Sequence, residues 1–97
     1  MSAFVIISPH AQQQINDIDS DIQSRSPQRA DEFLSVVNAK IEQLAQFPES
    51  GSIHRGQIRR LLLLRFPYSL FTVFDATQNT VSIIAFFHDQ SDPRTWR

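Results

Sequence analysis

The sequence predicts a single α+β domain over residues 1–97, ordered β-α-α-β-β-β, with a helical hairpin packed on a small, mainly antiparallel four-stranded sheet. Three observations carry this expectation. Two Ser-Pro pairs, Ser8-Pro9 and Ser26-Pro27, each precede a stretch whose apolar residues recur at helical spacing. From Gln57 onward the pattern changes to β-branched and aromatic runs broken by turn residues. The chain is 41% apolar and 20% charged with only two glycines, the make-up of one packed globule, and its 97 residues leave no room for a second.

Taken in order, Phe4-Val5-Ile6-Ile7 is a short apolar, β-branched run stopped by Ser8-Pro9, which favours a strand. Ser8 suits an N-cap, because its side-chain oxygen can accept one of the helix's orphan N–H groups. Pro9 suits the first helical position, where its missing N–H is not needed. Ala11, Ile15, Ile18 and Ile22 then follow on one face of a helix ending near Ser24. Ser26-Pro27 repeats the start signal, so the link between the helices is tight. Ala30, Phe33, Leu34, Val37, Ile41 and Leu44 form the second apolar stripe, closed by Phe47-Pro48 and Gly51. Neither start is a full capping box, since Ala11 and Arg29 stand where Glu or Gln would.

In the C-terminal half, Ile58 to Arg65 reads as an apolar strand flanked by arginines. Phe66-Pro67 interrupts it, because proline donates no ladder hydrogen bond. Tyr68 to Phe74 and Thr80 to Phe87 form the last two strands, joined by a hairpin loop over Asp75-Ala76-Thr77-Gln78-Asn79. Both helices bury their stripes on one sheet face. The tail from His88 to Arg97 is polar and aperiodic.

Composition restricts the chemistry. Without cysteine there is neither a disulfide framework nor a thiolate metal site. The N-terminus lacks a basic n-region, and no run approaches the roughly 18–20 apolar residues of a membrane span, so the cytoplasm is the expected compartment and no membrane the expected partner. His10, His54 and His88 share no ligand spacing, and there is no glycine-rich phosphate loop or nucleophile elbow; no metal and no cofactor are expected. Charge is polarised along the chain. Residues 1–50 hold three basic groups and seven acids, residues 51–97 six arginines and three acids. Such polarity either positions an acidic partner on the C-terminal half or is a mixed solvated surface.

Strand alternation sends Arg59, Leu61, Leu63 and Arg65 to one face of the strand over 58–65 and Ile58, Arg60, Leu62 and Leu64 to the other. Arginine offers a planar fork for phosphate or carboxylate, but at strand ends it also serves as a solvated cap or a salt-bridge partner of helix acids. The second reading is the better one for Arg60; for Arg59 and Arg65 both stand. His10 fits a solvated helix start. His88, ending an apolar strand beside Asp89, is placed either for general acid–base work or simply where the strand meets water. Asp89 and Asp92, next to Pro93, read as turn formers. Tyr68 and Trp96 carry polar handles that suit an interface, whereas the phenylalanines suit the core.

Together these residues resemble the ParE/RelE superfamily of bacterial toxins: Ser8-Pro9 with Ala11; Ser26-Pro27 with Ala30 and Phe33; Leu44 with Pro48 and Gly51; Gln57-Ile58-Arg59-Arg60-Leu61; Phe66-Pro67-Tyr68; and His88 with Asp92-Pro93 and Trp96. The resemblance runs nearly end to end and implies a toxin neutralised by the C-terminal segment of a cognate antitoxin, in a hetero-oligomer. RelE-like members cut messenger RNA on the ribosome with a basic surface and acid–base groups; ParE-like members poison DNA gyrase. The Phe-Pro-Tyr segment, the closing His-x-x-x-Asp-Pro-x-x-Trp pattern, the single lysine and the net charge of −1 look ParE-like, a ribosome-bound nuclease being expected to be more basic.

On that reading Arg59, Arg65, Tyr68, His88 and Trp96 face the target, and Asp17, Asp19, Asp21 and Phe66 face the antitoxin. The alternatives are a RelE-like endoribonuclease using Arg59, Arg65, Tyr68 and His88, with His54 a further acid–base candidate, or an inactive antitoxin-binding module. Gln90 and Ser91 stand where many relatives have an arginine, and Thr72 where many have a second tyrosine. Both departures remove polar functionality.

Overall fold

A computed structural model describes residues 2–90. β1 (Phe4–Ile7) leads into α1 (Pro9–Arg25) and α2 (Pro27–Gln46), followed by β2 (Ser52–Arg55), β3 (Ile58–Leu62), β4 (Tyr68–Asp75) and β5 (Thr80–His88). The helix starts obey the Ser-Pro signals. Ser8 Oγ accepts the Ala11 N–H at 3.1 Å. Ser26 alone joins the helices: its N–H donates to the Ile22 carbonyl, closing α1, and its Oγ accepts the Arg29 N–H, opening α2.

The sheet has five strands, not four, in the order β1-β5-β4-β3-β2. β1 runs parallel to β5 and the other neighbours are antiparallel. The added strand, β2, is a short edge element that pairs Ser52 with Arg60 and Ile53 with Arg59. β3 is shorter than expected: it ends at Leu62, the Leu63 N–H makes a last bond to the Tyr68 carbonyl, and Arg65, with a left-handed φ of 74°, turns the chain toward Phe66-Pro67. The Asp75-to-Asn79 loop forms as read: Asp75 Oδ1 accepts the N–H groups of Thr77 and Gln78, and Asn79 supplies the positive φ of the turn.

Both helices cover one face. Ala11, Ile15 and Ile22 of α1 and Ala30, Phe33, Val37 and Leu44 of α2 are buried against Leu61, Leu70, Val81, Ile83 and Phe86. Leu34, expected in the stripe, is partly exposed at its margin. Among the described residues no helix is long and apolar enough to cross a membrane.

The β4–β5 ladder is irregular at one point. β5 carries an extra residue at Ile84, so that Phe71 pairs with Ala85 but Thr72 with Ile83. The Gln14 side chain reaches from α1 to accept the Phe86 N–H at 2.8 Å, next to that bulge. Gln14→Ala leaves this part-buried donor without its partner and is expected to cost about 1–3 kcal/mol in urea unfolding.

Candidate functional site

Counting back evenly from the Asp75–Thr80 pair at the β4–β5 turn would set Phe87 opposite Tyr68. The extra residue in β5 moves the register by one and sets His88 there instead. Two polar aromatic groups therefore meet at the open end of this ladder, on the helix-covered face, with rings 5.2 Å apart and edge-on. Tyr68 stacks on Phe86 with centroids 5.6 Å apart, and Phe33 of α2 meets Phe66, Tyr68 and Phe86 edge-on at 5.4, 6.0 and 5.9 Å. These contacts fix the Tyr68 ring. The Gln90 N–H donates to His88 Nδ1 at 3.0 Å, which makes Nε2 the protonated nitrogen of the neutral ring.

The turn of the helical hairpin lies against this end of the sheet. Ile22, Arg25, Ser26 and Arg29 line one wall of a cleft of about 390 Å³, and Phe66, Pro67, Tyr68 and His88 the other. The Arg29 guanidinium sits 4.9 Å above the Phe66 ring, a cation–π contact that leaves its fork available to an anion. Arg25 pairs with Asp21 one turn back on the helix surface. The cleft is thus an apolar and aromatic floor rimmed by two guanidinium groups, a phenol and an imidazole, suited to an aromatic or acidic group of a partner molecule.

Arg60, read from sequence as a solvated strand end or a salt-bridge partner of helix acids, is ion-paired, but to Asp89 after β5 and on the opposite face of the sheet. Its Nε donates to Ser69 Oγ at 3.0 Å, its terminal nitrogen pairs with Asp89 Oδ1 at 3.1 Å, and the Ser69 hydroxyl donates to the same oxygen at 2.5 Å. Ser69 is buried, so the network satisfies a hydroxyl that water cannot reach and anchors the chain directly after His88. Asp89 is therefore more than a turn former. Ser69 in β4 and Arg60 in β3 are each visible in the sequence, and it is the strand register that brings them together.

The remaining predicted residues do not gather at the cleft. Arg59 lies at the far end of β3, where it donates to the Gly51 carbonyl at 3.1 Å and approaches Glu49 at 3.6 Å. Arg65 projects beside α2, its side chain 72% exposed and 4.0 Å from Glu32. His54 packs edge-on against Phe71, on the face away from the helices. Thr72 is buried in the sheet. Phe66 forms part of the cleft floor. Asp17 accepts a hydrogen bond from Gln13 and Asp21 holds Arg25, while helical geometry turns Asp19 to another side of α1. Trp96, with Ser91, Asp92 and Pro93, lies outside the described residues.

A left-handed φ costs a non-glycine residue about 1–2 kcal/mol. At Arg65 the ion pair found among the described residues is exposed and long, and is worth little. Glycine's extra chain entropy, about 0.5–1 kcal/mol, removes part of the gain. Arg65→Gly is therefore expected to raise the urea midpoint slightly, by up to about 1 kcal/mol of stability at unchanged m-value.

Comparison with known proteins gives the family and the fold. No curated protein sequence matches the chain significantly. Solved structures that share its fold include the chromosomal ParDE toxin–antitoxin system from P. aeruginosa, with a TM-score of 0.75 at 15% identity over 90% of this chain and 96% of that one, and the RelBE2 toxin–antitoxin complex from Mycobacterium tuberculosis, with a TM-score of 0.65 at 18% identity over 91% of this chain and 99% of that one. The family model described as the ParE toxin of type II toxin–antitoxin systems, parDE, matches residues 5–93, nearly the whole chain. The chain belongs to the ParE toxin family.

Proposed function

We propose that this protein is a toxin that a cognate antitoxin neutralises and that inhibits DNA gyrase by binding it, not by cutting RNA. The observation that carries the reading is the dispersal of the three C-terminal-half arginines Arg59, Arg60 and Arg65 away from the Tyr68–His88 pair. Arg59 is engaged at one end of the sheet, Arg60 is neutralised by Asp89 on the face away from the helices, and Arg65 stands beside α2. Among the described residues these arginines do not surround Tyr68 and His88, as transition-state stabilisation of a phosphodiester would require. The cleft at the hairpin turn is instead built as an anchor pocket, with fixed aromatics below and guanidinium groups on the rim. Family membership supports an antitoxin as partner, as do the two solved toxin–antitoxin complexes that share the fold.

In this reading Tyr68, His88 and Arg65 contact the target, together with Trp96. Phe66, with the acidic α1 positions Asp17, Asp19 and Asp21, contacts the antitoxin. The left-handed backbone at Arg65, a conformation that costs a non-glycine residue, supports its assignment.

A specific observation favours a second reading. Tyr68, His88, Arg25 and Arg29 line one cleft, and they are the groups a ribosome-dependent endonuclease could use for proton transfer and phosphate contact. His88→Ala and Tyr68→Phe separate the two. A nuclease loses about 10²- to 10⁴-fold in transcript cleavage with His88→Ala. A gyrase-binding toxin shows no cleavage to lose, and Tyr68→Phe, which keeps the ring, leaves its inhibition within a few-fold of the parent. Co-expression with the product of the adjacent gene tests the antitoxin assignment. A stable complex is expected, and separate elution of the two proteins would refute it.

A further inference from the structure

β1 and β2 are the two edges of the sheet, and they differ in protection. β2 is kinked by a register shift between Ile53 and Arg55 and ends in an arginine, both ordinary guards against strand addition. β1 has no guard: Phe4-Val5-Ile6-Ile7 contains no charge, no proline and no bulge. Phe4 and Ile6 are 71% and 55% exposed on the sheet face away from the helices.

The backbone pattern sets what can pair there. Phe4 and Ser8 donate to the Asn79 and Ile83 carbonyls, so the even-numbered residues of this segment aim at β5 and the odd-numbered ones aim outward. The outward N–H of Ala3 is already taken by the Ala45 carbonyl of α2. Among the described residues, what remains unpaired are the N–H and C=O groups of Val5 and Ile7, placed symmetrically about Ile6.

We infer that β1 pairs antiparallel with β1 of a second copy of this chain about a twofold axis at Ile6, joining the two sheets edge to edge. The occupant follows from the symmetry of the unpaired groups. In this one register Val5 exchanges both hydrogen bonds with Ile7 of the second copy, and Ile7 with its Val5, so that every outward group of both strands is satisfied. A shift in one direction would need the Ala3 N–H that α2 occupies; a shift in the other would need Pro9, which has no N–H. Ile6 then meets its own counterpart across the axis, with Phe4 on the diagonal, making a continuous apolar stripe from four side chains exposed in the isolated chain. The uncharged edge imposes no self-repulsion. Its contact area falls well short of the roughly 800 Å² per partner of a standard interface, so a weak, concentration-dependent dimer is expected.

The absence of cysteine makes a direct test possible. Ile6→Cys places thiols at a facing pair within disulfide reach, whereas Leu62→Cys, 53% exposed on the same face but distant in β3, does not. Under mild oxidation Ile6→Cys should form covalent dimer on the order of tenfold faster than Leu62→Cys. Sedimentation should show the parental chain moving from monomer toward dimer with concentration and Ile6→Lys remaining monomeric, since it sets like charges opposite each other. Both sites are exposed, and circular dichroism checks that each variant is folded. Equal cross-linking by the two cysteine variants, a parental chain that stays monomeric, or a dimer unchanged by Ile6→Lys would overturn the proposal. So would β1 amide protection that appears only when a strand from a different protein is added.

Discussion

Phe33→Ala is expected to destabilise the protein by about 3–5 kcal/mol. Phe33 is fully buried and its ring meets Phe66, Tyr68 and Phe86 edge-on, so it ties α2 to both sides of the β4–β5 ladder. Truncation removes three aromatic contacts and opens a void that those ring neighbours cannot readily refill. A small domain has about 5–15 kcal/mol in total, so the variant should be partly unfolded at physiological temperature. The same void lies beneath Tyr68. Urea unfolding followed by circular dichroism measures the loss. Phe33→Leu, which keeps most of the volume, should recover more than half of it.

Gly51→Ala should be nearly as severe, for a backbone reason. Gly51 adopts φ 93°, and a Cβ there would lie 2.4 Å from the Arg60 carbonyl oxygen and 2.9 Å from its carbon. The obstacle is backbone of β3 at the position paired with Ser52, so it cannot swing aside as a side chain would. Strain and overpacking, each about 1–3 kcal/mol, combine to about 2–5 kcal/mol. Gly56 is the internal control. It has φ 56°, but its Cβ would meet nothing within 4 Å, so Gly56→Ala should cost only the left-handed term of about 1 kcal/mol. If the two substitutions cost the same in parallel urea titrations, close approach to β3 is not what requires glycine at position 51.

The parts of the fold legible in the sequence are those set by local chemistry. Ser8-Pro9 and Ser26-Pro27 start helices because side-chain oxygen and missing N–H act within one turn, and Asp75 and Asn79 close the hairpin in the same local way. β2 is not legible. Ser52-Ile53-His54-Arg55 has neither alternation nor β-rich composition and becomes a strand only because β3 presents an edge to it. Leu63 and Leu64 look like more of β3, yet the strand ends at Leu62, the Leu63 N–H makes a last bond to the Tyr68 carbonyl, and the chain turns at the left-handed Arg65.

The site is legible in its residues but not in its assembly. Tyr68, His88 and Phe66 stand out one by one, and their meeting depends on the extra residue at Ile84, which no local pattern announces. The arginines are visible as a group, but their separation is only half visible. Alternation places Arg59 and Arg60 on opposite faces, whereas the Arg60–Ser69–Asp89 network needs three strands in register. Arg25 and Arg29 carry no signal in the sequence because they sit on helices; the tight turn at Ser26 is what brings them to the sheet.

Binding of gyrase through a surface that includes the Tyr68–His88 cleft, without cutting RNA, is decided by two parallel reactions. Purified protein is added to a gyrase supercoiling reaction and to a translating extract whose transcript is followed by primer extension. A gyrase-binding toxin abolishes supercoiling at protein concentrations that leave the transcript intact, and the antitoxin reverses the loss. Ribosome-dependent cleavage with undisturbed supercoiling would contradict this and assign the cleft to a nuclease; silence in both assays would contradict it as well and leave an antitoxin-binding module.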